Sequence, residues 1–185
     1  VTHARAKLCP SAFVELNQAV LHTVYGSAHA GLVQRWRGHR LLGVDSSLVR
    51  LPSHVAVGQQ FGWVQCANHR GLQERYPQGR VSVFYDVLNE VALEARLAAS
   101  TVAETELAHR HLTCVQPGDV VLNDRGFTGY RWLVAVRAAG AHFVSRCSRG
   151  SFAAVQRLFA RNEAGVSVAV TLTAPKAVRA ECHAQ

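Results

Sequence analysis

Two aspartates stand in matched positions of the sequence and could act together on a metal ion. Asp45 follows the apolar run LLGV, and Asp124 follows VVLN. Each run is typical of a buried strand, and small or flexible residues come after each aspartate. If the two strands are neighbours, the carboxylates meet at the edge of the sheet where open α/β sheets bind ligands. Two adjacent carboxylates repel unless a cation separates them, and such oxygen ligands select Mg²⁺ or Mn²⁺.

The chemistry that this pair would support is metal-assisted phosphoryl transfer, in which metal ions activate the nucleophile and the leaving oxygen. Taken singly, either aspartate could instead cap a helix or stabilise a turn. Asp86, inside the run FYDVL, is interpreted as structural. His109 and His111 are two residues apart, so on a helix they point to different faces and cannot share one ion. The five cysteines form no C-x-x-C pair.

The composition suits a globular protein that meets an acidic partner. The chain has 20 Lys+Arg against 12 Asp+Glu, a formal net charge of +8, and 49% hydrophobic residues. Nearly all the basic residues are arginine, whose guanidinium binds phosphate bidentately, although a GC-rich genome would produce the same bias. The scattered cysteines fit a reducing compartment, and no apolar run is long enough to span a membrane. The three tryptophans are interpreted as core residues rather than base-stacking ones.

The patterning along the chain predicts a mixed α/β sheet with helices packed on it. Strands 80–89 and 90–97 alternate and lie close enough to form a hairpin, and 80–89 is typical of a strand buried on both sides. Thr101 to Glu104 form a capping box, and 53–79 is predicted to be irregular. The other predicted strands are 41–44, 119–127, 141–147 and 165–173, and the predicted helices are 11–25, 104–115, 129–140 and 151–162.

Four ordered blocks of the sequence resemble one known family. They are GHRLLGVDSSLVRLP, YPQGRVSVFYDVLNEVALEARL, AETELAHRHL and GDVVLNDRGFTGYRWLVAVRAAGAHFVSR. In this order and spacing the chain resembles bacterial insertion-sequence transposases of the DDE type, most closely the insertion-sequence-four group. The resemblance covers about residues 35–150, and the segment VTHARAKLCPSAFVEL also resembles the part that precedes the catalytic domain.

The resemblance implies a ribonuclease-H-like fold whose first and second aspartates match Asp45 and Asp124. It also implies a third carboxylate on a later helix, in the pattern Tyr-x-x-Arg-x-x-x-Glu, which this sequence lacks. The carboxylates after Asp124 are Glu163 and Glu181, and neither has that context. We therefore expect a chain truncated before its last catalytic helix. Its expected parts are a helical lead-in (1–34), a partial catalytic core (35–162) and the start of a β-rich insertion (163–185).

The function implied by the resemblance is Mg²⁺- or Mn²⁺-dependent cleavage and strand transfer of double-stranded DNA at insertion-sequence ends. Such a protein would act in the bacterial cytoplasm, at the nucleoid, and work as a homo-oligomer on DNA. Because the third carboxylate is missing, this chain alone is expected to be catalytically weak or dead. Two alternatives stay open: a catalytically dead DNA-binding remnant, and a ribonuclease-H-like nuclease that uses Glu163 or Glu181. The candidate contacts to DNA phosphates are Arg125, Arg35, Arg37 and Arg40.

Overall fold

The computed structural model describes residues 7, 9–67, 71, 73–161 and 165–174 of the chain. Within these residues it contains five α-helices and six strands. The helices are α1 (Ser11–Tyr25), α2 (Val55–Phe61), α3 (Glu104–Arg110), α4 (Tyr130–Ala138) and α5 (Ala153–Arg161). The strands are β1 (Leu41–Arg50), β2 (Trp63–Ala67), β3 (Gln73–Asp86), β4 (Val91–Ala99), β5 (Val120–Asn123) and β6 (His142–Ser145).

All six strands belong to one mixed sheet in which β1 is central. Strand β1 pairs antiparallel with β3 over Leu42–Arg50 and parallel with β5 over Leu41–Gly43. Strand β6 continues the parallel part beyond β5, while β4 and β2 pair antiparallel with the later and earlier parts of β3. The predicted mixed sheet with packed helices is therefore confirmed.

The two faces of the sheet differ because side chains alternate along each strand. One face, here called the core face, carries the buried side chains of β1 and β3, and the core helices pack against it. The opposite face, here called the site face, leaves apolar side chains of β3, β4 and β6 exposed. The most buried core residues include Leu42, Phe84, Val121, Phe127, Trp132, Leu133 and Val136.

The expectation that strand 80–89 is buried on both sides is wrong. On the core face Ser82, Phe84 and Asp86 have no solvent exposure. On the site face Tyr85 is 36% exposed, and the neighbouring Leu97 of β4 is 47% exposed. Apolar residues on both faces of a strand predict that it is long and central in the sheet. They do not show that described elements cover both of its faces.

The segment predicted to be irregular, 53–79, instead holds α2, β2 and the first half of β3. Two of its four glycines, Gly58 and Gly79, occupy places of close contact. A Cβ on Gly79 would meet Leu97 Cδ1 at 2.7 Å and Leu51 Cδ1 at 3.1 Å, so glycine lets the two leucines close over the strand. The strand and helix periodicity of this segment is hard to recognise because these glycines interrupt the apolar pattern at places where a larger side chain would not fit.

Two further expectations are corrected at helix α3 and near the end of the described chain. Helix α3 begins after Ala103, and no side chain caps it, so Thr101 and Glu104 do not form a capping box. Residues 165–173 have no regular secondary structure, since they have no partner strand within the described part. The expected insertion otherwise falls on 163–164 and 175–185, which lie outside the described residues.

A buried polar network lies on the core face between β3, β4 and the turn after α3. His111 is fully buried; its Nδ1 lies 2.7 Å from Glu94 Oε2, and its Nε2 lies 3.0 Å from Ser82 Oγ. Arg96 forms two hydrogen bonds with the Glu94 carboxylate. A neutral imidazole with its hydrogen on Nδ1 donates to Glu94 and accepts from Ser82, so every polar atom of the ring is satisfied.

Burial lowers the pKa of His111 below its usual value, although the Glu94 carboxylate opposes this. Between the unfolded pKa of about 6.5 and the lower folded value, the unfolded chain binds more protons than the folded one. Stability contributed by neutral His111 is therefore complete above about pH 6.5 and is lost as the pH falls.

The first prediction concerns His111→Gln, measured by denaturant unfolding at a series of pH values. At about pH 8 the variant should be less stable by about 1–3 kcal/mol, because Glu94 or Ser82 loses a partner. Between about pH 8 and pH 5 the parent should lose more stability than the variant. His22→Gln, on the exposed surface of α1, is the control and should follow the parent. An equal pH slope in parent and His111→Gln would contradict this assignment.

Candidate functional site

Asp45 lies in the middle of β1, not at its end as the sequence suggested. The strand continues for five more residues because β3 pairs with it as far as Arg50. The parallel pairing with β5, however, stops at Gly43. Asp45 is therefore the first residue of the site face beyond the shared β1–β5 ladder, and its side chain is exposed.

Asp124 directly follows β5, as predicted, and it is also exposed. Its Oδ1 accepts a hydrogen bond of 2.7 Å from the Gly126 backbone N–H, which caps the short 3₁₀ turn Arg125–Phe127. Two core contacts anchor this turn. Phe127 is buried, and Trp132 Nε1 donates to Asn123 Oδ1 at 3.0 Å. The position of Asp124 is thus set by core packing on either side of it.

The two aspartates line one open cleft on the site face. The cleft has a volume of about 650 Å³, and Val83, Leu122 and Arg146 also line it. Strands β1 and β5 are parallel neighbours, so their carboxyl ends point the same way. The two strands that carry the aspartates are therefore neighbours, as expected from the sequence.

Arg146 is a residue of this cleft that the sequence reasoning missed. It follows β6 as Asp124 follows β5, and its backbone N–H donates to Asn123 O at 3.0 Å. Its side chain is exposed beside the two carboxylates. The signal was available: parallel neighbouring strands end at the same edge of a sheet, so the residue after AHFVS belongs with the one after VVLN.

Glu104, at the start of α3, is a second residue whose place the sequence did not reveal. Ser46 Oγ donates to Glu104 Oε1 at 2.7 Å, and Arg80 donates to the same Ser46 oxygen at 3.1 Å. A Cβ on Gly126 would meet Asp124 Oδ1 at 3.1 Å and Glu104 Oε2 at 3.6 Å. Glu104 therefore bonds α3 to Ser46, the strand residue beside Asp45, and lies near the turn that follows Asp124.

The four arginines proposed to contact DNA have different environments. Arg35, Arg37 and Arg125 are exposed, and the Arg37 guanidinium lies 5.0 Å from the Trp36 ring centre. Trp36 itself is 46% exposed, whereas Trp132 is buried as expected of a core residue. The exposed three remain available to a phosphate backbone.

Arg40 differs, and the expectation that it binds DNA is wrong. Its side chain is 4% exposed, and it holds the equally buried Asp119 through two hydrogen bonds of 2.9 and 2.6 Å. Burial acts to lower the pKa of Arg40, but the hydrogen bonds and charge of Asp119 outweigh it, so this pKa is raised. Arg40 and Asp119 form a structural ion pair that joins the start of β1 to the start of β5.

The second prediction is that Arg40→Met destabilises the fold by about 3–5 kcal/mol, because Asp119 is left buried and unpaired. Denaturant unfolding measures the loss. The double variant Arg40→Met with Asp119→Leu should recover much of it, since two apolar groups replace the pair. Arg35→Met, at an exposed position, should change stability by less than about 0.5 kcal/mol. Unchanged stability in the single Arg40 variant would refute the structural role.

The cleft fits a small divalent cation by the chemistry of its donors. Within the ranges that the structure describes, no three His, Cys, Asp or Glu side chains form a ready-made metal cluster. Mg²⁺ does not require one, because it commonly takes one or two carboxylates and completes its shell with water and substrate phosphate. Two exposed aspartates on one cleft match that requirement.

The mixed sheet, with its two central aspartates and helices packed on it, defines an α/β protein of the ribonuclease-H-like class. The sequence model for the transposase DDE domain matches residues 36–174. The chain belongs to this family. No curated protein sequence matches it. Among the described helices, none is long and apolar enough to cross a membrane.

Proposed function

We propose that this chain carries the first two metal-binding carboxylates of a DNA transposase, which cleaves and joins DNA strands at the ends of an insertion sequence. The observation that supports this most directly is the presence of Asp45, Asp124 and Arg146 on one open cleft. Membership of the transposase DDE domain family supports a DNA substrate. The formal net charge of +8 is suited to a polyanion.

Each residue of the cleft has a distinct proposed role. Asp45 and Asp124 hold Mg²⁺ or Mn²⁺. The ion, when bound, would activate the attacking oxygen and stabilise charge on the leaving oxygen. Arg146 binds the phosphate that enters the cleft, because it is exposed and lines the same cleft as the two carboxylates. Arg125, Arg35 and Arg37 contact the DNA backbone further out, where they add affinity without reading sequence.

The finer parts of the proposal follow the sequence resemblance. They are a bacterial insertion sequence of the insertion-sequence-four type, action in the cytoplasm, and a homo-oligomer that holds paired DNA ends. The third carboxylate expected from the resemblance has no counterpart in this sequence with the required pattern. Glu163 and Glu181, on which the nuclease alternative depends, lie outside the described residues.

The third prediction tests the metal site directly. In Asp45→Asn and Asp124→Asn the Mn²⁺ dissociation constant should rise more than about tenfold, since each change removes a charged ligand. Mn²⁺ binding is measured on the full chain by calorimetry or by loss of the free-ion paramagnetic signal. Glu106→Gln is the matched control: an exposed carboxylate paired with Arg110, away from the cleft, which should bind as the parent does. Metal binding equal to the parent in both aspartate variants would remove the proposed site.

Activity on DNA then separates the proposal from its two alternatives. Mn²⁺-dependent nicking of supercoiled DNA, however weak, that both aspartate variants lose and that Glu163→Gln and Glu181→Gln keep supports the transposase proposal. Salt-sensitive duplex binding with neither nicking nor Mn²⁺ binding supports the DNA-binding remnant. Cleavage that is lost in Glu163→Gln or Glu181→Gln supports the ribonuclease-H-like nuclease, and cleavage unchanged in both removes it.

The fourth prediction concerns Arg146. Arg146→Gln should weaken duplex binding and lower the slope of log K against log salt by about 0.9, the share of one phosphate contact. Its Mn²⁺ affinity should stay near that of the parent, because the two aspartates are unchanged. Arg110→Gln, which removes a surface arginine already paired with Glu106, is the control and should keep the parent slope. An unaltered slope in Arg146→Gln would exclude the phosphate contact.

A further inference from the structure

The sheet extends beyond the cleft as an arm made of the end of β1, strand β2 and the first half of β3. Strand β2 pairs with β3 from Trp63 opposite Pro77 to Ala67 opposite Gln73. Two arginines on this arm lie over aromatic rings. Arg75 lies 4.5 Å from the centre of Trp63, and Arg50 lies 4.5 Å from the centre of Tyr76. Neither pair belongs to the cleft described above.

The Trp63–Arg75 pair is held in place by the helix that precedes it. Gly58 of α2 is buried, and a Cβ at this position would overlap the Trp63 indole. The indole is thus seated against the helix backbone at a point where only glycine fits. Arg75 stacks on this half-buried ring, while its own side chain is exposed. Stacking fixes the plane of the guanidinium and leaves its edge N–H groups free to donate.

The charges of the two stacked arginines differ. Arg50 donates to Glu74 Oε1 at 2.7 Å, so its charge is offset by a carboxylate. Arg75 has no salt bridge within the part of the chain that the structure describes. Residues 75 and 76 point to opposite faces of β3, so the two arginines also lie on opposite faces of the arm. Among the described residues of the arm, Arg75 therefore presents an oriented guanidinium whose charge no carboxylate offsets, and it does so on one face.

That face is the site face. Asp45 stands opposite Val83 in the β1–β3 ladder, and residue 75 is eight residues before residue 83 on the same strand. An even separation places Arg75 on the face of Asp45, and eight residues span about 26 Å. Along the axis of duplex DNA each strand carries one phosphate per about 3.4 Å, so a span of this length parallel to the axis corresponds to about eight nucleotides.

We propose that the Trp63–Arg75 pair is a contact for the backbone of duplex DNA, about eight nucleotides from the phosphate held at the Asp45–Asp124 cleft. The guanidinium of Arg75 donates to a phosphate oxygen, and Trp63 holds it in the orientation to do so. This inference rests on the proposed function, because it takes the ligand of the cleft to be DNA.

The fifth prediction tests this contact by fluorescence anisotropy with a labelled duplex longer than the proposed span, at salt concentrations between about 50 and 200 mM. Arg75→Gln should weaken binding several-fold and lower the salt slope by about 1, since one phosphate contact is lost. Arg50→Gln removes the same charge from the same arm and should keep the parent slope. Trp63→Leu should weaken binding as well, because Arg75 loses its support.

The outcomes separate this inference from the proposed function. If the parent chain binds no duplex, the proposed function fails. If the parent binds and Arg75→Gln keeps its affinity and salt slope, the arm contact is overturned while the proposed function stands. If Arg50→Gln lowers the slope as much as Arg75→Gln does, the assignment to one face is overturned. Thermal unfolding of each variant must match the parent, and Arg75→Lys, which keeps the charge, should restore the slope.

Discussion

The arrangement of the cleft depends on one constraint: β1 pairs with two strands, and its pairing with β5 ends earlier than its pairing with β3. Its ladder with β5 covers three residues, whereas its ladder with β3 continues to Arg50. Where β5 ends, the backbone of β1 is still held in extended form by β3, so Asp45 has a fixed position although one side of it is open. On that side β5 is followed by the turn that carries Asp124, and the cleft lies between the two aspartates. A central strand with unequal partners thus produces both the rigidity of the site and the space for a ligand.

The core face also holds buried polar groups that have hydrogen-bond partners. Arg40 and Asp119 join the starts of β1 and β5, and Asp86 accepts hydrogen bonds from Tyr25, Asn89 and two backbone N–H groups at the end of β3. Burial first, and then the Asp86 contact, raise the pKa of the Tyr25 hydroxyl. These satisfied groups set the register of the strands and attach α1 to the sheet, at the cost of desolvation.

Much of this architecture could be predicted from the sequence, and the exceptions have physical causes. The helix bounds of α1, the β3–β4 hairpin and the place of Asp124 follow from local periodicity and turn residues. The fold of 53–79 does not, because Gly58 and Gly79 are there for close packing and resemble loop glycines in the sequence. Arg40 is the same residue type as the exposed Arg35 and Arg37, and it differs from them only in its tertiary partner, Asp119. Glu104 joins the site through its hydrogen bond with Ser46, and Arg146 through the place of β6 beside β5. The first contact is tertiary and the second requires the strand order, so no short motif encodes either.

Strand β3 runs unbroken for 14 residues through the arm and the centre of the sheet, and its ladder with β1 contains no bulge. The distance between Arg75 and Val83, which lies opposite Asp45, is therefore set by the number of strand residues between them and not by the conformation of a loop. Insertion of one residue between positions 75 and 83 would turn Arg75 to the opposite face, whereas two residues would keep the face and lengthen the span by about 7 Å. A change of length in this stretch therefore alters the face or the distance of Arg75, whereas a change of residue type at one of its exposed positions alters neither.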